Sequence, residues 1–161
     1  MLVEDVMTEE TVICDINESL ESIAYKMWNG DFGAVPVVNE YGMPVGVITD
    51  RDICMALALR HCNASQLRAR DLLHDRFVSC SPKWELKQAL KLMAQEKIRR
   101  LPVVDDDGHI KGLVSLADMA VVAVSGKKKG SLSKGDFVDA FCNIAVPHIP
   151  HSHALTVTVE D

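Results

Sequence analysis

The sequence of 161 residues has few aromatic residues, no excess of positive charge and no apolar run long enough to span a membrane. Aromatic residues make up 5% of the chain and hydrophobic residues 48%, which favours an aliphatic α/β core over an aromatic-rich β-sandwich. A net charge of −6 supplies no positive field for a nucleic acid backbone. We therefore predict no nucleic acid partner, no membrane partner and, because the acidic start is unlike a signal peptide, a cytoplasmic location.

Motifs for covalent or metal chemistry are also missing. The five cysteines are odd in number and none is part of a CxxC pair, so neither a disulfide framework nor a zinc knuckle is indicated. The sequence contains no Gly-rich P-loop, no HExxH motif and no nucleophile elbow. An enzyme that acts on a nucleotide would need a base, a nucleophile or a metal set. We predict that the chain is not an enzyme and has no catalytic cofactor.

The C-terminal tail carries a cluster of imidazoles, His148, His151 and His153. Imidazoles this close together can chelate a transition metal, but no cysteine or acid at a suitable spacing completes a tetrahedral set. A mobile tail, or an edge strand through ALTVTV, is the alternative interpretation. We predict no metal site, with these three histidines as the only weak candidates.

An internal repeat organises the chain. A shift of 66 residues aligns eleven identical residues without a gap, and they fall on turn residues and on apolar positions of like periodicity, as a duplication predicts. The aligned residues of the first copy are Asp5, Val12, Cys14, Leu20, Met27, Pro36, Val37, Val38, Gly42, Gly46 and Asp52. We therefore predict a first repeat over residues 1–66, a second over 67–125, and a linker, helix and His-containing tail over 126–161.

Each repeat has the pattern strand, helix, strand, strand, helix. In the first copy TVIC is a predicted strand, and apolar residues from Leu20 to Trp28 recur at helical spacing until Gly30. Two apolar runs, AVPVV and VGVIT, are joined by a turn and lead into a helix near DRDICMALAL. The second copy repeats this order from FVSC onward. Since one three-stranded sheet cannot cover both of its faces, we predict an α/β (α+β) fold in which the repeats pack sheet to sheet about a pseudo-twofold axis.

The predicted C-terminal helix has a large apolar face. Phe137, Ala140, Phe141 and Ile144 lie at helical spacing, with Ser133 as the N-cap. A helix of this length is marginal without a packing partner. It therefore packs either on its own chain or on a second protomer.

Both repeats end a strand and open a helix with a hydroxyl, two spacers and a carboxylate: Thr49 with Asp52, and Ser115 with Asp118. One interpretation is a capping box, in which the hydroxyl caps the helix and the acid complements its dipole. The other is a binding site, because free N–H groups and the hydroxyl suit phosphate while the carboxylate accepts ribose hydroxyls. Arg51 would add positive charge in the first copy, where the second has Ala117.

In the paired features GAVPVV with GVITDRDI and RRLPVVDDDG with GLVSLADM, the sequence resembles the CBS domain pair, named after cystathionine beta-synthase. The resemblance covers residues 1 to about 124. It implies that AMP, ATP, S-adenosylmethionine or a similar adenosyl ligand binds in the clefts between repeats, and that the chain forms a homodimer. It also implies that Thr49 and Asp52 hold phosphate and ribose in one cleft, and Ser115 and Asp118 in the other.

The resemblance implies further that backbone near the starts of the first two strands contacts adenine. The corresponding residues here are Ile13, Ala34 and Val35 in the first copy, and Ser79, Arg100 and Leu101 in the second. Two alternatives are open for Arg99 and Arg100. Either one of them contacts phosphate, or both lie at a solvated rim of the sheet. The resulting hypothesis is a regulatory module that senses a nucleotide and signals to an unknown protein effector, and the alternative is a ligand-independent dimerisation or scaffold module.

Overall fold

The computed structural model describes residues 1–73, 77–125 and 132–146, which form five α-helices and two three-stranded sheets. One sheet has the order β2-β3-β4 and the other the order β1-β6-β5. The strands are β1 (Thr8–Glu9), β2 (Cys14–Asp15), β3 (Ala34–Val38), β4 (Pro44–Thr49), β5 (Arg100–Val104) and β6 (Ile110–Ser115). The helices are α1 (Leu20–Gly30), α2 (Asp50–Arg60), α3 (Leu86–Glu96), α4 (Leu116–Ser125) and α5 (Lys134–Ala145). The predicted α/β fold of two repeats with a C-terminal helix is confirmed.

The two hairpins have the same register after the 66-residue shift. Ala34 pairs with Thr49 in the first repeat, and Arg100 pairs with Ser115 in the second. Each hairpin also has one register irregularity, between Val37 and Val38 or between the corresponding residues of the second repeat. The structure is therefore duplicated down to the position of the bulge, and each hydroxyl residue sits opposite the first residue of its neighbouring strand.

The first strand of each repeat is shorter than predicted. TVIC contributes only its last residue, Cys14, to β2, and FVSC contributes one parallel bridge, between Cys80 and Val103. The preceding residues run along the groove between the repeats, where Thr11 and Val12 line one cavity. No strand within the described ranges pairs with them there, so the ladder begins later than the apolar pattern indicates.

The start of each sequence repeat packs on the other repeat. Leu86 N donates to Met1 O at 3.0 Å, and after the 66-residue shift Leu20 N donates to Leu67 O at 3.0 Å. Val3 is fully buried in the core of the second repeat, and its counterpart Ala69 in the core of the first. The boundary between residues 66 and 67 divides the two sequence repeats, and it stays a prediction. The packed units differ from the sequence repeats, because each repeat contributes its first residues to the core of the other.

Strand β1, near the start of the first sequence repeat, also packs on the second repeat. It pairs antiparallel with β6, with Glu9 opposite Gly112. A Cβ atom at Gly112 would collide with the carbonyl oxygen of Thr8, so the close approach of the two strands requires glycine. The N-terminal segment thus belongs to the sheet of the second repeat.

Helix α5 packs back on its own chain, against α3 and α4. Leu132 and Ala140 are buried in the core of the second repeat, with Phe137 and Ile144 partly buried against it. Lys87 Nζ on α3 donates to Asp136 Oδ1 on α5 at 2.9 Å. The first of the two alternatives is therefore the one observed, although Phe141, at the edge of the apolar face, is half exposed.

The placement of Trp28 was predicted wrongly. The helical pattern includes it in the apolar face of α1, but its side chain is 85% exposed, whereas Trp84 is 37% exposed. The buried stripe of α1 consists of Leu20, Ile23 and Met27. Trp28 lies one residue, or about 100° of helix, beyond that stripe, on a side that no other element of the described chain covers.

The two buried cysteines, Cys14 and Cys80, occupy pseudo-equivalent positions. Burial raises the pKa of Cys14 and of Cys80 to about 12. Their thiols therefore stay protonated at neutral pH, and the thiolate is the nucleophilic and metal-binding form. Within the described residues, no group of three His, Cys, Asp or Glu side chains is arranged to hold a metal. His148, His151 and His153 lie outside the described residues.

No helix in the described part of the chain combines the length and the apolar character needed to cross a bilayer.

Candidate functional site

A cavity of about 370 Å³ lies between the two repeats, at the junction of β4 and α2. We name it the first cleft. Its walls come from β3, β4 and the start of α2 in the first repeat, and from the segment before α3, the α3–β5 connection and β5 in the second. The lining residues are Ala34, Gly46, Val47, Thr49, Asp50, Arg51, Asp52, Phe77, Val78, Lys97, Ile98, Arg99, Arg100 and Pro102.

A second cavity of about 320 Å³ lies at the junction of β6 and α4. We name it the second cleft, and it is the pseudo-symmetric counterpart of the first. Its lining residues are Thr8, Glu10, Thr11, Val12, Phe32, Ala34, Leu113, Ser115, Asp118 and Arg100. Each hydroxyl and carboxylate pair therefore faces a space between the repeats, and Ala34 and Arg100 border both spaces.

Thr49 and Asp52 form a complete capping box at the start of α2. Asp52 Oδ2 accepts hydrogen bonds from Thr49 N at 2.9 Å and from Thr49 Oγ1 at 2.7 Å, while Thr49 Oγ1 accepts from Asp52 N at 3.2 Å. The single proton of the hydroxyl is thus already donated to Asp52. The bonds that the described residues give to the Asp52 carboxylate all go to Oδ2, which leaves Oδ1 open to a ligand in the cleft.

Ser115 and Asp118 repeat this geometry at the start of α4. Asp118 Oδ2 accepts from Ser115 N at 2.8 Å and from Ser115 Oγ at 2.7 Å. Ser115 Oγ accepts from Asp118 N at 3.2 Å. The capping interpretation therefore holds locally in both repeats, and it is compatible with ligand binding because the same carboxylates line the clefts.

The two clefts differ in charge. Among the described residues, four cationic side chains line the first cleft, Arg51, Lys97, Arg99 and Arg100, against the two carboxylates of Asp50 and Asp52. In the second cleft Arg100 is the only cationic side chain among the described lining residues, against the carboxylates of Glu10 and Asp118. The first cleft therefore has a net positive lining suited to an anion, and the second a net negative one.

The charge difference arises from one connection. The residues Lys97, Ile98 and Arg99 after α3 correspond to Asp31, Phe32 and Gly33 after α1. Both connections begin with a residue in the left-handed region, Lys97 at φ 54° and Asp31 at φ 52°, so their backbones match while their charges are opposite. Arg51 adds to the difference, because its counterpart at the start of α4 is Ala117.

The predicted site residues divide into two groups. The structure brings Ala34, Thr49, Arg51, Asp52 and Arg100 together around the first cleft. It places Ser115 and Asp118 around the second, again with Ala34 and Arg100. Four predicted residues line neither cavity: Ile13, Val35, Ser79 and Leu101.

The strand period explains two of these four. Val35 and Leu101 are fully buried in the two cores, because each follows a residue, Ala34 or Arg100, whose side chain faces the clefts. Ile13 is 42% exposed, and its carbonyl oxygen accepts from Lys26 Nζ at 3.4 Å. Ser79 is partly buried beside the second core.

Sequence reasoning missed several lining residues. Phe77 and Val78, and their counterparts Thr11 and Val12, were interpreted as strand rather than as cleft wall. Lys97 was missed because it lies beyond the end of a helix pattern. The alignment of the two repeats could have identified it. That alignment pairs Lys97 with Asp31, and each of these residues lies shortly before a strand that starts between the repeats.

Comparisons with known proteins agree with this architecture. The family model for the CBS domain matches residues 3–59 and 69–125. The CBS domain-containing protein YhcV of Bacillus subtilis (strain 168) is 36% identical over 129 residues, covering 80% of this chain and 90% of that protein. Uncharacterized protein MK0525 of Methanopyrus kandleri is 34% identical over 120 residues, covering 74% of this chain and 61% of that protein.

A solved structure gives the same relationship in three dimensions. The CBS domain pair of protein MJ0100, crystallised in complex with 5'-methylthioadenosine and S-adenosyl-L-methionine, matches with a TM-score of 0.70 and 25% identity. The match covers 80% of this chain and 98% of that chain. The two-repeat arrangement is thus shared over nearly the whole of the solved domain pair.

Proposed function

This chain belongs to the CBS domain family, and we propose that it is a regulatory module that binds an adenosine nucleotide in the first cleft. The observation that carries the proposal is the position of Asp52 at a cleft where the described lining residues include four cations, with no described residue donating to its Oδ1. A carboxylate beside a cationic wall suits a ligand with a diol at one end and a phosphate at the other.

Different residues of the first cleft suit the ribose, the phosphate and the adenine of a nucleotide. Asp52 accepts hydrogen bonds from the ribose hydroxyls, and Arg51, Arg99 and Arg100 contact the phosphate. Ala34 lies at the start of β3, where adenine contacts are expected from the family resemblance. A volume of about 370 Å³ falls at the lower end of the range typical of small-molecule sites, about 300–1,000 Å³. This size favours AMP over ATP.

The second cleft suits a different ligand. Its hydroxyl and carboxylate pair can bind a ribose, but its net negative lining disfavours a phosphate. An adenosyl compound without phosphate, such as S-adenosylmethionine or a related thioether, fits it better. The structural neighbour MJ0100 supports this second proposal, because that domain pair was crystallised with two adenosyl compounds that carry no phosphate. Adenine contacts by Ile13, Val35, Ser79 and Leu101 remain predictions.

The module acts on other proteins rather than on its ligand. We propose that it has no catalytic activity and that a protein effector detects the change that ligand makes in the angle between repeats. Exposed apolar residues on the pseudo-equivalent helices α2 and α4, Met55 and Leu59 on one and Val121 and Val124 on the other, favour a homodimer formed through these faces. We propose the cytoplasm as its location.

A ligand-independent scaffold is the second candidate function. The observation that favours it is the complete capping box in both repeats, since the two hydroxyls already donate to their own carboxylates. In that case the two hydroxyl and carboxylate pairs only stabilise the starts of α2 and α4. The pairs are Thr49 with Asp52 and Ser115 with Asp118.

The two functions are separated by thermal melting of the full chain with adenosine, AMP, ATP and S-adenosylmethionine. A ligand that binds the folded state stabilises it by about 2.7 kcal/mol at a hundred times its dissociation constant, which raises the melting temperature by roughly 5–11 °C for a chain of this size. We expect AMP to bind more tightly than adenosine because its phosphate meets the cationic wall. An unchanged melting temperature with every compound would leave only the scaffold.

A further inference from the structure

Helix α5 shows which kind of segment fits a groove between two helices of this fold. Helix α5 covers the groove between α3 and α4, and beneath it Leu90 and Met119 are 2% and 0% exposed. Its apolar residues complete the core of the second repeat, and Asp136 pairs with Lys87 on α3. An amphipathic helix with one acidic residue at its edge is therefore the natural occupant of this groove.

The pseudo-equivalent groove between α1 and α2 is open. It contains a cavity of about 350 Å³, lined by Ala24, Met27, Trp28, Asp31, Phe32, Gly33, Asp50 and Ile53. Ala24 takes the place of the buried Leu90, and Trp28 the place of Ala94. No helix of the described chain covers this groove, which is why Trp28 is 85% exposed on it. A tryptophan beside an apolar cavity is a common anchor of protein interfaces.

At three matching positions the first repeat carries an acid where the second repeat carries a lysine or a leucine. Lys87, which binds Asp136 of α5, corresponds to Glu21 on α1. Lys97 corresponds to Asp31, and the buried Leu116 corresponds to Asp50. Since α5 complements a basic edge with an aspartate, a helix that occupies the open groove must complement an acidic edge with lysine or arginine.

We propose that the groove between α1 and α2 docks a basic amphipathic helix of a partner protein. The apolar face of that helix covers Met27, Trp28 and Phe32, and its cationic residues pair with Glu21, Asp31 and Asp50. The α5 helix of a second copy does not fit, because it carries Asp136 and Asp139 and is already seated on its own chain.

The groove also borders both clefts. Asp50 lines the groove and the first cleft, and Phe32 lines the groove and the second cleft. A docked helix would therefore touch residues that a cleft ligand also touches, so that each could alter the affinity for the other. The docking itself does not depend on nucleotide binding, so its test is independent of the test of the proposed function.

The test uses α5 itself as the template for the probe. A capped synthetic peptide with the sequence of residues 132–146, carrying Asp136→Lys, Asp139→Lys and Cys142→Ser, is titrated into the full chain. The chain carries Trp84→Phe, which leaves Trp28 as its only tryptophan. We expect a saturable blue shift of Trp28 emission as the indole is covered, and at least tenfold weaker binding of the peptide that keeps both aspartates.

The matched protein variant is Glu21→Lys combined with Asp31→Lys. Both changes introduce the residue type that the second repeat carries at the equivalent position, and Lys97 already adopts the left-handed conformation that Asp31 has. The variant is therefore expected to fold, to bind the lysine-bearing peptide at least tenfold more weakly, and to prefer the aspartate-bearing one. Circular dichroism of the variant verifies that the fold is retained.

Three results would overturn the proposal. The first is no saturable shift with the lysine-bearing peptide, and the second is equal binding of the two peptides. The third is Trp28 emission that is already blue in the free protein and moves to the red on dilution, since a second copy would then cover the groove.

Discussion

Replacement of Asp52 by alanine is expected to remove most of the stabilisation that AMP gives the chain. Hydrogen bonds to a charged group contribute about 1.5–3 kcal/mol each, so losing the contact between the carboxylate and the ribose weakens binding about 10- to 100-fold. At an AMP concentration of a hundred times the wild-type dissociation constant, a hundredfold loss lowers the stabilisation from about 2.7 to about 0.4 kcal/mol. Urea denaturation with and without AMP measures both values.

Asp118→Ala is the matched control for this variant. Asp118 makes the same capping bonds as Asp52, at 2.8 and 2.7 Å against 2.9 and 2.7 Å. Both variants should therefore lose a similar capping contribution of about 1 kcal/mol without ligand. Only Asp52→Ala should lose the response to AMP, because Asp118 lines the cleft with the net negative lining. Equal retention of the AMP response by both variants would contradict the proposed contact between Asp52 and the ribose.

Replacement of Val3 by aspartate is expected to cost at least about 3 kcal/mol of unfolding free energy. Val3 is fully buried in the core of the second repeat, and its N–H donates to Trp84 O at 2.9 Å. A carboxylate there would lose its water without gaining a partner. The milder Val3→Ala should cost about 2 kcal/mol by loss of buried methyl groups and a residual cavity. Urea denaturation of the full chain gives both values.

The control for Val3 is its neighbour. Glu4 is exposed, so Glu4→Ala should change the unfolding free energy by less than about 0.5 kcal/mol. A cost below about 1 kcal/mol for Val3→Asp would mean that the N-terminal segment is not part of the second core, and that the exchange of segments between repeats does not persist in solution.

The hairpins were predictable because their information is local. AVPVV, read as a strand, is β3 (Ala34–Val38), and IKGLVS is β6 (Ile110–Ser115). In each repeat a run of β-branched residues, a turn and a helix start with a hydroxyl follow one another without interruption. The same local signals placed Thr49 and Ser115 at the starts of α2 and α4.

The exchange of segments was not predictable, because it depends on contacts distant in sequence. Nothing in the residues around Val3 indicates that they pack beside Trp84, more than seventy residues away. The charge difference between clefts was only partly visible. Arg51 and Ala117 lie within recognised motifs, but Lys97 enters the first cleft through a left-handed residue at a helix end, which a periodicity argument does not locate.

The exposure of Trp28 illustrates a limit of hydrophobic patterns. An apolar residue at helical spacing indicates that a face will be covered, but not by which molecule. In the second repeat the covering helix belongs to the same chain, whereas in the first no described element serves that purpose. The same pattern therefore gives a buried core in one repeat and an open groove in the other.

The most direct test of the account is a nuclear magnetic resonance titration of the isotope-labelled full chain with AMP. Binding of AMP in the first cleft should give saturable shifts at the backbone amides around it, including Ala34, Thr49, Asp52 and Arg100, with small changes on α5. Shifts that do not saturate, or that spare these amides, would contradict nucleotide binding between the repeats.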